Sequence, residues 1–296
     1  MAALVPTFHL PDYLAEALAQ EDPPLRLVHG LNVPSSLITD WSGVPSDAEV
    51  LTIDSSLVPN LGQISRFPKL RVVICGRPTE EFFEGIRDLP QLEAMELRWV
   101  LRPAELRRFD GTRIRHLMLS VARRPLDLSI LEAFPNLRTL HFDGCSRVDP
   151  DAMPELPELR GLYVGRGVFS CLKLPSLRFV EKFPKLRIFL GLVEPEDRSL
   201  RPLSKLKNLQ IISLANVHAT EEVARLAGSL PQLAEGQLPP IFGETGSHYA
   251  QCRKCGGVSS IGWSAKALKI CPVCYPDKLS AYLTTWETEK KAGWSS

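Results

Sequence analysis

Residues 134–142 read FPNLRTLHF, and closely similar stretches occur at 67–75 (FPKLRVVIC), 156–164 (LPELRGLYV) and 183–191 (FPKLRIFLG). Further copies lie at 89–97 and 206–214, and a less regular one lies at 112–120. The first leucine-type residues of the copies are separated by 22, 22, 23, 22, 27 and 23 positions, at Leu70, Leu92, Ile114, Leu137, Leu159, Leu186 and Leu209. A regular period of about 20 to 50 residues is typical of stacked repeats.

Each copy follows the pattern L-x-x-L-x-L, as Leu137, Leu140 and Phe142 do. The alternation after the first leucine predicts a short β-strand with one buried face. The rest of each repeat is rich in Pro, Gly and Asp, which favours turns and brief helical pieces. Stacking one strand per repeat produces a curved parallel sheet, so the predicted fold class is α/β, a solenoid with 22–23-residue repeats.

This pattern resembles the leucine-rich repeat superfamily over residues 48–235, and its period is similar to the shorter-repeat classes of that family. The resemblance implies an asparagine or cysteine eight residues after the first leucine, where its side chain bonds to the turn backbone. Only Cys145 fits, because the other positions hold Val100, Ala122, Gly167, Glu194 and Val217. We therefore expect irregular turns. The 27-residue interval carries an extra segment, 171–182, expected to be a longer convex helix or a bulge.

Four segments are predicted. Residues 1–47 are expected to cap the open solenoid end and to contain a short amphipathic helix after Pro11. Residues 48–236 form the repeats, and the Pro- and Gly-rich stretch 237–250 is expected to be an exposed linker. Residues 251–296 form a small module that contains cysteines and ends in a helix.

The predicted strands expose a mixed set of side chains on the concave face, because alternate residues point away from the core. Exposed apolar residues on such a face are consistent with a protein partner, while flanking loops or terminal segments that cover them are the alternative. The candidate partner-binding residues are Ile74, Glu96, Arg98, His116, Met118, His141, Asp143, Tyr163 and Leu190.

Arginines are concentrated in two patterns. One is the row Arg71, Arg115, Arg138, Arg160 and Arg187, which precedes the strands and could bind an anion or simply cover apolar surface with its side-chain stems. The other is the window Arg98–Arg124, where eight arginines face only Glu105 and Asp110. An acidic protein, a nucleic acid or a solvated flank would each explain that window.

The C-terminal segment contains two C-x-x-C pairs separated by 15 residues, Cys252/Cys255 and Cys271/Cys274. This spacing is typical of a zinc site, and four thiolates form a closed tetrahedral site without an open position. We therefore predict one structural Zn²⁺. A redox dithiol is the less favoured alternative. Residues 248–292 resemble a treble-clef or zinc-ribbon module, in which the second pair leads into a helix, here predicted at Lys278–Lys291.

Composition limits the classes of function. The chain of 296 residues has 35 Lys and Arg against 34 Asp and Glu, which opposes a global basic field for nucleic acid. No phosphate-binding loop or nucleophile motif is found in the sequence. We expect a cytoplasmic, non-enzymatic scaffold that binds a protein partner. The alternative is a nucleic-acid-associated protein that uses the zinc module and the Arg98–Arg124 patch.

Overall fold

The computed structural model describes residues 8–31, 37–101, 103–121, 125–165, 171–234, 236–242, 260–264, 268–271 and 273–294. The chain divides into two compact units, Met1–Leu172 and Lys173–Ser296. Each unit is described by itself.

The first unit contains a parallel sheet whose strands follow one another in chain order. Its strands are β1 (Val50–Asp54), β2 (Val72–Gly76), β3 (Ala94–Val100), β4 (His116–Val121), β6 (Thr139–Asp143) and β8 (Gly161–Val164). The first residues of neighbouring strands are in register, from Val50 opposite Val72 to Thr139 opposite Gly161. The predicted period and parallel pairing are therefore confirmed in this unit, which is a solenoid with one strand of the sheet per repeat.

Short elements return the chain from one strand to the next. The helices of this unit are α1 (Asp12–Ala19), α2 (Leu25–His29) and α3 (Glu80–Ile86), with 3₁₀ helices at Leu61–Arg66, Pro103–Arg108, Leu128–Ala133 and Pro150–Ala152. Two-residue strands, β5 (Pro125–Leu126) and β7 (Arg147–Val148), pair in parallel. The side chains of Asp127 and Asp149 accept hydrogen bonds from the first turns of two of the 3₁₀ helices. These N-caps satisfy backbone N–H groups and fix where the two brief helical turns begin.

The core of the first unit lies between the sheet and these returns. The leucines that begin each copy, such as Leu70, Leu137 and Leu159, are fully buried. Phenylalanines from the returns, including Phe67, Phe82 and Phe134, fill the space behind them. Burial of this continuous apolar surface, at about 25 cal/mol per Å², is the main term that holds the repeats together.

The second unit continues the repeat pattern and adds the C-terminal tail. Its elements are β9 (Leu172–Leu174), β10 (Ile188–Gly191), β11 (Val193–Pro195), β12 (Ile211–Leu214), a 3₁₀ helix at Arg178–Lys182, α4 (Arg201–Ser204) and α5 (Thr220–Ser229). Strands β10 and β12 are parallel, with Ile188 opposite Ile211. The extra segment 171–182 forms the short strand β9 and one 3₁₀ helix, not a longer helix.

The tail packs on the last repeat of the second unit. Three antiparallel strands, β13 (Ile241–Phe242), β14 (Ser260–Gly262) and β15 (Leu268–Ile270), precede helix α6 (Pro276–Ala292). Helix α6 lies against α5, where Arg225 Nε donates to Glu289 Oε2 over 2.7 Å. Any side chain at Gly228 would collide with the Lys290 carbonyl, so the two helices approach closely.

The described part of the predicted linker, 237–242, belongs to the fold. Leu238 is buried, and Ile241–Phe242 pairs with β14 because these apolar residues gain a partner strand there. Residues 243–250 lie outside the described residues. In the part of the chain that the structure describes, no helix has both the length and the apolar composition needed to cross a bilayer.

Candidate partner-binding surface

Residues 8–31 form a segment, here called the N-terminal strap, that lies across the outward face of the first unit's sheet. Leu14 and Leu18 of α1 belong to the same buried cluster as Val72 and Ile74 of β2. At the other end, Val28 packs so closely on Gly161 that any side chain there would collide with it. The strap thus covers the sheet from β1 to β8.

Backbone pairing also covers the free edge of β1. The Phe8 carbonyl accepts hydrogen bonds from the backbone N–H groups of Glu49 and Val50, over 2.7 and 3.1 Å. The Ile38 N–H donates to the Thr52 carbonyl over 3.0 Å. An uncovered strand edge is a template for unwanted pairing, so these contacts do what a cap at the solenoid end is expected to do. The strap adds a second role, which is to cover the sheet face.

Burial of the predicted partner residues follows from this arrangement. Ile74, Glu96, His116 and His141 are each no more than 6% exposed in the first unit, and Leu190 is 3% exposed in the second. Met118, Asp143 and Tyr163 are half-buried, and only Arg98 is exposed. The alternation correctly placed the first-unit residues on the outward face of the sheet. The strap covers that face, which agrees with the alternative prediction that loops or terminal segments cover it. A partner could reach the four buried first-unit residues only after the strap moved away.

Polar anchors tie the strap to the sheet. The Leu31 N–H donates to Glu96 Oε2 over 3.4 Å, and Arg98 Nε donates to Glu96 Oε1 over 2.5 Å. His141 Nδ1 donates to the Val28 carbonyl over 3.0 Å. Both oxygens of the buried Glu96 carboxylate are bonded, and so is Nδ1 of His141, so these groups anchor the strap. His141 Nε2 has no hydrogen-bond partner among the described residues and lies 4.0 Å from Asp143 Oδ2.

The two histidines of the sheet do not converge on one centre. His116 is opposite Thr139, and its Nδ1 lies 2.9 Å from Thr139 Oγ1, whereas His141 is opposite Met118 and stacks on Tyr163 with ring centroids 3.9 Å apart. Burial, followed by the charges of Arg138 and Arg115, lowers the pKa of His116 to about 3. His116 is therefore neutral and enclosed at physiological pH.

Exposed apolar side chains follow the C-terminal ends of the first strands. We call Leu57, Arg77, Arg98, Trp99 and Leu101 the strand-end surface. Trp99 is 61% exposed, Leu57 48% and Leu101 44%. Asp54, Gly76 and Arg98 are opposite one another at the ends of β1, β2 and β3, which places the residues that follow them along one edge.

Trp99 is held in an unusual backbone conformation. Its φ of 57° lies in the left-handed region, and the register between β3 and β4 shifts between Leu97 and Val100. For a bulky non-glycine residue this conformation costs on the order of 1–3 kcal/mol, and such strain is concentrated at functional sites. The bulge turns the indole ring away from the sheet and toward solvent.

Ion pairs hold the neighbouring arginines of this surface. Arg77 Nη2 donates to Asp54 Oδ2 over 2.9 Å and to Ser56 Oγ over 2.7 Å. Burial raises the pKa of Asp54, but the bonds from Arg77 and Ser56 outweigh it and lower that pKa to about 2. The arginines near Trp99 are thus charged, and a neighbouring carboxylate neutralises each of them.

Sequence reasoning did not identify Trp99. Simple alternation directs Arg98 outward, Trp99 inward and Val100 outward. With the one-residue bulge, Arg98 and Trp99 are both exposed and Val100 is buried. The available signal was Val100, which stands where the family's turn asparagine is expected and so marks an irregular turn. The basic window is only partly described: Arg98 pairs with Glu96 and Arg107 with Asp127, while the side chains of Arg102, Arg108, Arg123 and Arg124 lie outside the described residues.

Two of the four predicted zinc ligands are described. Cys271, which follows β15, is buried, and Cys274, just before α6, is half-buried. The Cys274 N–H donates to Cys271 Sγ over 3.4 Å. Cys252 and Cys255 lie outside the described residues, and within the described ones no three His, Cys, Asp or Glu side chains form a metal-binding group.

No protein-family model matches the chain, and no curated protein matches its sequence. Among solved structures, an internalin (inlF) from Listeria monocytogenes matches 62% of this chain at 15% identity, with a TM-score of 0.44. The match covers 52% of that internalin, so it spans about half of its length. The assignment of the fold rests on the strand register described above.

Two further structures show a similar degree of likeness. Internalin C2 (inlC2) from Listeria monocytogenes matches 69% of this chain and 93% of its own length, at 15% identity and a TM-score of 0.36. The plant peptide hormone receptor RGFR1, solved in complex with RGF2, matches 69% of this chain and 49% of its own length, at 14% identity and a TM-score of 0.32.

Proposed function

We propose that the chain is a non-enzymatic scaffold that binds a protein partner through the strand-end surface, with Trp99 as the central anchor. The observation that carries this proposal is the combination of 61% exposure and a left-handed backbone at Trp99. Tryptophan is among the residues most enriched in the energetic centres of protein interfaces. A partner that buries this strained and exposed side chain would therefore gain binding free energy from it.

The surroundings of Trp99 support an interface rather than a small-molecule site. Leu57 and Leu101 extend the apolar area, and the Arg77–Asp54 and Arg98–Glu96 ion pairs form a polar rim beside it. An apolar centre with a polar rim is typical of protein interfaces. Because both arginines are already held by carboxylates, less side-chain entropy is lost when a partner docks.

The test compares proteins captured by the full-length chain, by Trp99→Ala and by Tyr275→Ala. Tyr275 is 50% exposed in the second unit, so its replacement removes a matched exposed aromatic ring away from the strand-end surface. We expect a specific protein to be retained by the wild type and by Tyr275→Ala, and to be lost with Trp99→Ala. Undiminished capture by Trp99→Ala would contradict the assigned surface, and the absence of any specific protein would contradict the scaffold function.

We also propose that Cys252, Cys255, Cys271 and Cys274 hold one structural Zn²⁺. The described pair fits this role because Cys271 is enclosed, and the Cys274 backbone N–H donates to its sulfur, which holds the two cysteines of the pair close together. The ion would tie the segment between β13 and β14 to the base of α6, and it would supply cross-linking free energy rather than chemistry.

Metal content and limited proteolysis test the zinc proposal. The purified chain should contain one zinc, and Cys271→Ser should lose it and expose the tail to cleavage while the repeats resist. Cys171→Ser is the control, because Cys171 belongs to neither C-x-x-C pair, and it should retain the metal. A metal-free wild type, or a Cys271→Ser variant that keeps its zinc, would overturn this assignment.

Nucleic acid remains the alternative partner, but the tail exposes fewer aromatic rings for it than the sequence implied. Single-strand binding commonly uses exposed aromatic rings on which bases stack. Trp263 and Trp286 are buried, and Trp263 Nε1 donates to the Pro239 carbonyl over 2.8 Å. A mobility shift with single- or double-stranded nucleic acid at low salt would favour this alternative over the protein scaffold.

A further inference from the structure

A row of charged residues precedes the strands of the first unit at the edge opposite to Trp99. Backbone hydrogen bonds between adjacent repeats link the row in order, for example from the Arg138 N–H to the Arg115 carbonyl over 2.7 Å. The row consists of Glu49, Arg71, Glu93, Arg115, Arg138 and Arg160. Charges alternate in the first three repeats, and three arginines then follow one another.

Carboxylates neutralise the arginines near the two ends of this row, whereas the two arginines at its centre are not neutralised in this way in the described part of the chain. Arg71 Nη2 lies 2.5 Å from Glu93 Oε1, and Arg160 is paired with Asp22 over 2.9 Å and with Glu21 over 2.5 Å. Among the described residues, no carboxylate forms an ion pair with Arg115 or Arg138. Their Cα atoms are about 4.8 Å apart in adjacent parallel strands, a spacing at which two guanidinium groups can share one carboxylate.

A cavity of about 600 Å³ opens at these two arginines. Arg113, Arg115, Arg138 and Asn136 line it together with Glu93 and Glu158. Glu93 is bound to Arg71, and Glu158 lies 3.8 Å from Arg160, so both glutamates already face arginines of the row. The volume is within the range of about 300–1,000 Å³ of ligand pockets and exceeds what a single inorganic anion fills.

The N-terminal strap shows which chemistry this row binds. At Arg160 it supplies the carboxylates of Glu21 and Asp22, and the adjacent Gln20 carbonyl accepts from Arg138 Nη1 over 3.1 Å. An acidic peptide segment is thus already bound one strand away from the cavity. Burial, followed by the charges of Arg115 and Arg160, lowers the pKa of Arg138, which indicates positive charge that is not fully compensated.

We infer that Arg113, Arg115 and Arg138 form a binding site for an acidic peptide segment, whose carboxylates are held between the guanidinium groups of Arg115 and Arg138. The inference rests on the proposed function in one respect, since a protein partner would supply the segment. The site itself lies at the strand starts, opposite to the strand-end surface, so each can be tested without the other.

Fluorescence anisotropy with a rhodamine-labelled hexaglutamate peptide and the full-length chain tests the site. Arg115→Gln and Arg138→Gln should each weaken binding about tenfold, because each removes a charge-assisted pair from a partly enclosed pocket. Arg178→Gln is the matched control, because Arg178 is exposed in the second unit and its loss changes the net charge equally. It should change the affinity by less than about twofold. Unchanged thermal unfolding of each variant verifies that the fold is intact.

Three results would overturn the inference: equal weakening by Arg178→Gln, displacement of the peptide by inorganic phosphate at the same charge concentration, or no peptide binding at low ionic strength. The first would show non-specific attraction, the second a simple anion site, and the third no site. None of these results would affect capture of a partner through Trp99, so failure of this inference is distinguishable from failure of the proposed function.

Discussion

Two segments outside the repeat pattern cover repeat surfaces in this protein, and they do so with different chemistry. In the first unit, the N-terminal strap is held by Leu14 and Leu18 together with polar anchors at His141 and Glu96. In the second unit, helix α6 is tied to α5 by the Arg225–Glu289 pair, its Trp286 is buried, and its Tyr282 hydroxyl donates to the Pro240 carbonyl. The first cover thus combines apolar packing with polar anchors on the sheet, whereas the second depends mainly on aromatic burial.

The largest effect is expected from Trp286→Ala. The side chain is 1% exposed, and truncation of a buried aromatic residue leaves a cavity that costs about 3–5 kcal/mol. Hydrogen exchange should therefore rise throughout α6 and at the face of α5. The exposed neighbour Thr285 supplies the control, because Thr285→Ala should leave exchange nearly unchanged. Unaltered protection of α6 in Trp286→Ala would show that contacts other than this indole ring hold the tail.

A somewhat smaller effect is expected from Leu14→Ala in the strap. Leu14 is fully buried against the sheet, and a buried leucine-to-alanine change costs about 2–5 kcal/mol, with the lower part of the range where a segment can readjust. Hydrogen exchange of residues 10–31 should increase. The amides of β4 and β6 should stay protected, because the opposite face of the sheet remains packed on the core. Tyr13→Ala, at the exposed neighbouring position, is the control. Loss of protection across all strands would show that the strap is inseparable from the repeats.

The repeats were predictable because their signal is local and recurs. Each copy specifies a strand by alternation, and the constant period fixes the parallel register, so Val50 to Gly161 could be aligned from the sequence. Pro11, Leu14, Ala17 and Leu18 also predicted α1 and its apolar side.

The covered face and the bulge were not predictable in the same way. Alternation identifies which side chains leave the core, but it does not identify a distant segment that covers them, and the Val28–Gly161 contact joins residues 133 positions apart in the sequence. Trp99 was missed because one extra residue in β3 reverses the alternation that follows. The zinc prediction stays untested, since Cys252 and Cys255 lie outside the described residues.

The smallest predicted effect concerns pH and the strap-covered face. Burial holds His116 neutral with a pKa of about 3, whereas the unfolded chain protonates near pH 6.5. Burial, followed by the charge of His141, also lowers the pKa of His29 in the strap. Below pH 6.5 the unfolded state therefore binds more protons than the folded state, so the free energy of unfolding falls as the pH falls.

Between about pH 7.5 and pH 5 Asp54, with a pKa of about 2, stays ionised, so its ion pair with Arg77 does not contribute to the change in stability. Each buried histidine that remains neutral lowers the stability by at most about 1.4 kcal/mol per pH unit below its unfolded pKa. Protection factors of strap peptides, which correct for the pH dependence of intrinsic amide exchange, should fall from about pH 7.5 to pH 5 in the wild type and fall less steeply in His116→Gln. His9→Gln, at a largely exposed histidine, should keep the wild-type slope. Equal slopes in the wild type and in His116→Gln would show that burial of this imidazole does not govern the acid response, and the contrast between the polar strap and the aromatic tail would then rest on packing alone.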